Sequence, residues 1–380
     1  MHPIMIDRIQ AYAVSVTPPR GPESSLGSMP VRNGMLVRLT TSDGAAGWGE
    51  AWCNYPPRGN LARLFLLEDV IAPALIGMAL ADFREFRPSC EARFARLARH
   101  TGEAGSFAHC LAAIDTALAD IAAHMAGQPL AEFLNPEAHA DVGVYASTPD
   151  VLQLEASVEE MVEAGHEAAK LKIGFDLASD TGLLARFQDL AAGRLGVMAD
   201  ANQGWSLAEA KVAVREMAGF GLRFMEEPIA ADAPHEEWAE LSAESAVPVA
   251  AGENIMSEQS FCDFAGRGGV QVLQPDVAKW GGVSGAFNVG RSVEDAGATC
   301  AMHFMGTAVG LAASAHALAA TGSSGPMELD ANPNPLRTEL GNIDLTVRRG
   351  RMKVPVGNGI GFVPDPDALR AMTIGSAEIR

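Results

Sequence analysis

The sequence predicts an α/β protein, a modified TIM (β/α)-barrel joined to an α+β capping domain. Three observations predict it. Between residues 141 and 330, apolar strand patterns alternate with helical patterns eight times, the rhythm of a closed parallel barrel. The stretch before it has a different rhythm, with alternating strand patterns first and helical patterns afterwards. Nearly every strand pattern in the repeat also ends in an ionisable side chain, and a barrel carries its chemistry at the C-terminal ends of its strands.

The capping domain is expected over residues 1–135. Within it IDRIQAYAVSV, GMLVRLTTSDG and GAAGWGEAW read as an antiparallel meander with Asp43-Gly44 at a turn. The loop Thr17–Asn33, rich in Pro, Gly and Ser, is long enough to act as a lid. Helical patterns follow at about 60–75, 81–99 and 105–128, the last closing on Gly127 as a C-cap.

The barrel is expected over 136–335. Its strands are VGVYAS, AAKLKIG, GVMADAN, RFMEEP, VPVAAGEN, VLQPDVA, TCAMHF and PMELD. An open doubly wound sheet is the competing reading, but no glycine-rich phosphate turn follows VGVYAS. The tail, 336–380, leaves the rhythm. A short strand pattern from Asn342 to Val347 and the turn-rich VPVGNGIGFVPDPDAL predict that it packs back on the capping domain.

At 380 residues the chain exceeds one ordinary core, and 48% hydrophobic with 20% charged residues is a folded, globular balance. A net charge of −19 excludes nucleic acid and anionic membrane as partners. It also requires any site for an anionic substrate to bring its own positive charge. Five scattered cysteines without CxxC spacing read as reduced thiols in a cytoplasmic protein. The N-terminus has no apolar leader, and no run of about 18 apolar residues predicts a membrane span.

The strand ends supply Lys170 and Lys172, Asp200 and Asn202, Glu226 and Glu227, Glu253 and Asn254, Asp276 and Lys279, His303, and Glu328 and Asp330, from the second strand to the eighth. Asp200, Glu226 and Glu253 come from three successive strands and offer hard oxygen donors suited to Mg²⁺. The alternative for each alone is a cap on the next helix; three in succession weaken it. Side-chain alternation assigns Glu226 to the metal and turns Glu227 away or behind it.

Only five lysines occur in the chain, and Lys170 and Lys172 share one face of an apolar strand. Two close ammonium groups depress each other's pKa and free one as a base. A solvated edge pair is the bland alternative, and a closed barrel has no edge. His303 alone would read as a core histidine. Asp276, at the end of the neighbouring strand, makes the two an acid/base dyad.

In this order and spacing, Lys170-Leu171-Lys172, Asp200-Ala201-Asn202, Glu226-Glu227-Pro228, Gly252-Glu253-Asn254, Asp276 with Lys279-Trp280-Gly281-Gly282, His303 and Glu328 resemble the enolase superfamily, and within it the mandelate racemase subgroup. The resemblance covers nearly the whole chain. It implies Mg²⁺ on Asp200, Glu226 and Glu253. It implies Lys172 as the base on one substrate face, with Lys170 beside it, and His303 with Asp276 on the other face. It implies Glu328 as a hydrogen-bonding partner of the developing enediolate, Asn202 behind the metal ligands, and a looser place for Ser147 at the substrate carboxylate. A symmetric homo-oligomer is implied as well.

Such a site abstracts the proton α to a carboxylate of a small-molecule substrate. Paired bases fit dehydration of a sugar acid, the preferred outcome, and equally a racemase or epimerase. A non-catalytic sugar-acid binder is the reading of another class; it could dispense with Lys172 and His303. A phosphate-binding barrel aldolase would want a lone Schiff-base lysine and a late glycine-rich loop. Substrate choice is expected from the loop Thr17–Asn33 and from Trp52–Arg58, with Arg20, Arg32, Asn54, Tyr55 and Arg58 as polar walls or as solvated loop residues.

Overall fold

The computed structural model describes residues 3–25 and 27–380. Ile4–Val16 pairs antiparallel with Arg32–Thr41, which turns at Asp43-Gly44 into Ala46–Ala51. The helix Ala104–Met125 lies across this sheet, and glycine brings it close. A Cβ at Gly49 would stand 1.8 Å from the Ala113 carbonyl oxygen, and one at Gly47 2.4 Å from that of Ala117. This helix is long and apolar enough to cross a membrane by length and composition, yet 89% of its most apolar window is buried inside the protein. Gly127, at φ 69°, turns the chain just after it, as expected of a cap.

The first expected helix is interrupted. Gly59–Leu66 is α-helical, Leu67–Ile71 widens to a π turn, and Ala72–Ala74 tightens to 3₁₀. Pro73 accounts for the ending, because it lacks the N–H that the next turn needs.

Eight parallel strands follow: Asp141–Ser147, Ala168–Lys172, Gly196–Asp200, Met225–Glu226, Val249–Ala251, Val272–Leu273, Thr299–Cys300 and Met327–Asp330. The first seven pair in sequence order, and the eighth pairs back on the first. A parallel bridge between Met302 and Met327 joins the seventh segment to the eighth. The Glu328 N–H donates to the Met302 carbonyl across it. The ring therefore closes, which an open doubly wound sheet does not.

Inside the ring a plug forms from one residue of each of the first seven strand segments: Tyr145, Ala168, Met198, Phe224, Ala250, Val272 and Ala301. Two rings, Tyr145 and Phe224, meet edge to face at 5.9 Å between centres, and the smaller alanines and Val272 fit around them to fill the narrow barrel.

The tail divides rather than packing wholly on the capping sheet. The strand expected at Asn342–Val347 begins only at Val347, and Val347–Arg348 forms a hairpin with Arg351–Lys353. That hairpin pairs with Asp141–Gly143 of the first barrel strand. The reason is geometric. The parallel neighbours of that strand reach only Val144 and Ala146, so its first residues keep a free hydrogen-bonding edge. The final strand, Thr373–Ile379, does return to the capping sheet, antiparallel to the first strand. All five cysteines are free thiols, four of them buried and Cys262 exposed.

Candidate active site

Side chains two residues apart on a strand share a face. Stepping two residues up from each plug residue therefore gives the next layer: Ser147, Lys170, Asp200, Glu226, Gly252, Gln274 and His303. Pairing register puts Lys172 opposite Asp200, and Asp200 opposite Glu226. Every side chain of this layer is buried. It forms a polar floor at the C-terminal mouth of the barrel.

The carboxylates here are neutralised from several sides. Glu226 Oε2 accepts from Lys170 Nζ and from Gln274 Nε2, each at 2.7 Å. Its Oε1 is buried without a hydrogen-bond partner. Burial first, and then Asp200, push the Glu226 carboxyl up to about 7. Asp200 Oδ2 accepts from Lys172 Nζ at 2.5 Å and lies 3.4 Å from Lys170 Nζ. Burial raises Asp200, but the two lysines outweigh it and hold the carboxyl below its usual range. Glu253 Oε2 lies 3.2 Å from Lys279 Nζ and 3.0 Å from His303 Nε2, and these cations hold it low against the effect of burial. Among the described residues, no three His, Cys, Asp or Glu side chains close around a common point; ammonium and amide groups lie between these carboxylates.

Asn202 and Glu227 have left-handed backbones, at φ 44° and 39°. Asn202 donates its backbone N–H to Asp200 Oδ1 at 2.8 Å, so Asp200 also works as a local cap. Glu227 turns away from Lys170 and accepts from Asn254 Nδ2 at 2.9 and 3.0 Å. Burial first, and then Glu253, raise its carboxyl to about 8. Asn254 in turn accepts from Lys279 Nζ at 2.9 Å.

The lysine pair corrects one expectation. Burial and Lys170 do lower the Lys172 ammonium, but Asp200, Glu328 and Glu226 raise it more, so it stands above the ordinary lysine range. Lys170 is raised further still, with Glu226 and Glu328 outweighing burial. A nearby like charge depresses a pKa only while opposite charges do not surround both.

His303 and Asp276 meet as expected, Nδ1 to Oδ2 at 2.6 Å. The other Asp276 oxygen accepts from the backbone N–H of Ala278 at 2.7 Å and of Lys279 at 3.2 Å, which fixes the carboxylate. Burial lowers His303, but Glu253, Glu328 and Asp276 outweigh it and hold the imidazole well above its ordinary range. Glu328 lies between Lys170 and His303, 3.2 Å from Lys170 Nζ and 3.5 Å from His303 Nε2. Ser147 donates its hydroxyl to Glu328 and lies 3.2 Å from the Thr148 hydroxyl.

Above this floor is a cavity of about 330 Å³, bordered by Lys172, Asn202, Gln203, Glu253, Asn254, Lys279, His303 and Thr148 below, and by Pro22, Glu23, Ser24, Met29, Trp52, Tyr55 and Met305 above. Of the expected capping residues only Tyr55 borders it. Asn54 is buried and donates to the Met305 carbonyl at 2.6 Å, tying the capping domain to the segment after His303. Arg20 pairs with Asp150 at 2.7 Å, and Arg32 is buried against Asp330 at 2.6 Å. Arg58 is exposed at the start of a helix. In each case a carboxylate or carbonyl far along the chain, or solvent, took the polar group. Gln274 was not anticipated from the sequence. Its place two residues above Val272, in the register that holds Lys170 and Asp200, was the available signal.

The mandelate racemase/muconate lactonizing enzyme N-terminal domain family matches residues 8–135, and the enolase C-terminal domain-like family matches residues 153–368. The chain is 28% identical over 351 residues to a D-galactarolactone cycloisomerase of Agrobacterium fabrum, covering 88% of this chain and 90% of that one. It is 28% identical over 375 residues to an L-Ala-D/L-Glu epimerase of Bacillus subtilis, covering 94% and 96%. It is 25% identical over 337 residues to an arabinonate dehydratase of Saccharolobus solfataricus, covering 86% and 87%. The crystal structure of a mandelate racemase/muconate lactonizing enzyme from Bordetella bronchiseptica RB50 superposes with a TM-score of 0.89 at 40% identity, over 97% of this chain and 99% of that one. A racemase from Streptomyces coelicolor A3(2), solved with bound magnesium, superposes with a TM-score of 0.86 at 25% identity, over 97% and 100%. With both domains matched along the chain, this protein belongs to the mandelate racemase/muconate lactonizing enzyme family of enolase-superfamily enzymes.

Proposed function

We propose that this enzyme removes the proton α to the carboxylate of a sugar acid, a 2,3-dihydroxy acid, and dehydrates it, with Mg²⁺ held by Asp200, Glu226 and Glu253. The observation that carries the reading is one cavity bordered by both Lys172 and His303, from strands two and seven, with Glu253 bordering it as well. The donor set suits the ion: three carboxylates from successive strands, with the buried Glu226 Oε1 free of any partner. The Streptomyces coelicolor racemase, solved with magnesium, shares the fold. Such a cation supplies positive charge to the substrate carboxylate as the α carbon loses its proton, and offsets the negative charge that now holds Lys172 high.

The chain's own groups do the rest. Lys172 Nζ takes the α proton. Lys170, buried at 0% exposure, places a fixed ammonium beside it. Glu328, joined to Ser147, faces Lys170 and His303 from the eighth strand. His303 Nε2 gives its proton to the departing β-hydroxyl, which leaves as water, and the resulting enol settles to a 3-deoxy-2-keto acid. Asp276 orients the imidazole, and Glu253, Glu328 and Asp276 together favour its charged form, so an acid is available on that face.

Racemisation would use the same two bases without loss of hydroxide, and the epimerase among the relatives supports that alternative. Proton NMR in D₂O with Mg²⁺ on a panel of sugar acids and 2-hydroxy acids separates the readings. Loss of the α proton with a new 3-deoxy-2-keto signal is expected. Exchange without elimination would move the assignment to a racemase or epimerase.

A further inference from the structure

The upper wall of the cavity states a preference that the reacting groups do not. It presents Pro22, Met29, Trp52, Tyr55 and Met305, with one aliphatic hydroxyl, Ser24, and one charged residue, Glu23. No arginine borders the cavity among the described residues. Arg32 comes nearest in chemistry but lies behind the methionines. Its Nη1 is 3.4 Å from Met29 Sδ and its Nη2 is 3.1 Å from Met305 Sδ, while its charge is spent on Asp330. Arg20 opens on neighbouring clefts and is held by Asp150.

The two ammonium groups that do border the cavity are both at its floor. Lys172 donates to Asp200, and Lys279 donates to Glu253 and Asn254 and lies 4.7 Å from the centre of the Trp52 ring. The far end of a bound acid would therefore meet an apolar, aromatic wall and one carboxylate. A second carboxylate there would lose water and face Glu23, and the one ammonium close to Trp52, that of Lys279, already donates to Glu253 and Asn254. An uncharged end, a methyl or a hydroxymethyl group against Trp52 and the methionines, carries no such cost.

We infer that the site selects monocarboxylic acids with an uncharged, partly apolar far end, aldonic and deoxyaldonic acids rather than aldaric diacids, and that Glu23, Met29 and Met305 set this choice. The inference rests on the reaction and metal site proposed above. It differs from them in concerning only the capping side of the cavity.

The test uses binding rather than turnover. A hydroxamate chelates a divalent cation much as a planar enediolate would, so hexanohydroxamic acid and its equal-length ω-carboxylate, adipic monohydroxamic acid, probe the two far ends on one head group. Calorimetry of the full-length protein with Mg²⁺ is expected to give the uncharged hydroxamate a dissociation constant about tenfold or more below that of the acid. Glu23→Arg, an exposed change, should move that ratio toward the acid by about tenfold. Equal binding of the two probes, or tighter binding of the acid, overturns the inference and leaves the reaction standing. Failure of both probes to bind in a Mg²⁺-dependent way overturns the metal site itself and the inference with it.

Discussion

His303 Nδ1 lies 2.6 Å from Asp276 Oδ2, while His303 Nε2 looks the other way, 3.0 Å from Glu253 Oε2. The imidazole is thus held from behind and presented at the cavity. Asp276→Asn should lower kcat on an identified substrate by about 10²–10⁴-fold. Hydrogen–deuterium exchange of the substrate α proton, which the proposal gives to Lys172, should survive, and NMR in D₂O reads both. Equal loss of exchange and turnover would mean that Asp276 supports the whole site rather than one face.

Lys172→Ala should remove turnover and α-proton exchange together while Mg²⁺ binding, followed by calorimetry, stays intact. Near-normal turnover in that variant would sink the base assignment.

Glu226→Gln should weaken Mg²⁺ binding by about tenfold or more, because one of three charged donors is lost. Gln274 donates to the same carboxylate at 2.7 Å. Gln274→Ala, which frees that oxygen to turn, should weaken the ion about 10–100-fold, as loss of a group orienting a ligand does elsewhere. If Glu226→Gln leaves affinity unchanged and Glu227→Gln lowers it, the ligand is Glu227.

His316 carries a pH prediction away from the site. It is fully buried, and its Nδ1 accepts from the Ala131 backbone N–H at 3.0 Å. Burial pushes its pKa down to about 4. The unfolded chain takes up this proton near pH 6.5, and the folded one only near 4, so its contribution is present above pH 6.5 and is lost as pH falls toward 4. Between pH 7.5 and 5.0 the wild type should lose about 2 kcal/mol relative to His316→Asn. Urea titrations of both proteins at the two pH values measure it. An unchanged difference would show that the folded histidine titrates normally.

Arg32 and Asp330 form a pair with side chains 1% exposed, 2.6 Å apart, with Arg337 bound to the Asp330 carbonyl. Asp330→Ala would strand Arg32 without its counter-charge and should cost about 3–5 kcal/mol in urea unfolding. The double change Arg32→Met with Asp330→Leu should recover much of that loss, since apolar partners of similar volume need no counter-charge. A double variant no better than Asp330→Ala would locate the cost in packing.

Much of the barrel and its floor was legible in the chain because strand periodicity is local. Lys170 and Lys172 sit two residues apart on an apolar run, so their common face needs no tertiary information. The order of Asp200, Glu226, Glu253, Asp276, His303 and Glu328 along successive strands likewise follows from connectivity alone. Gln274 lies in the same register, but an uncharged amide on an apolar strand does not by itself distinguish a site residue from a satisfied core amide.

The capping residues were not legible in this way. Asn54, Arg20 and Arg32 are polar loop residues whose partners, the Met305 carbonyl, Asp150 and Asp330, lie 251, 130 and 298 positions away in sequence. No local pattern encodes such a meeting. The direction of the Lys172 shift was hidden for the same reason. The sequence alone determined the fold class, the strand-end order and the paired lysines, all consequences of short-range alternation. The tertiary structure decided which charges neutralise which and which wall the substrate meets, because Coulomb energies and burial depend on distances that only the closed barrel and its cap bring about.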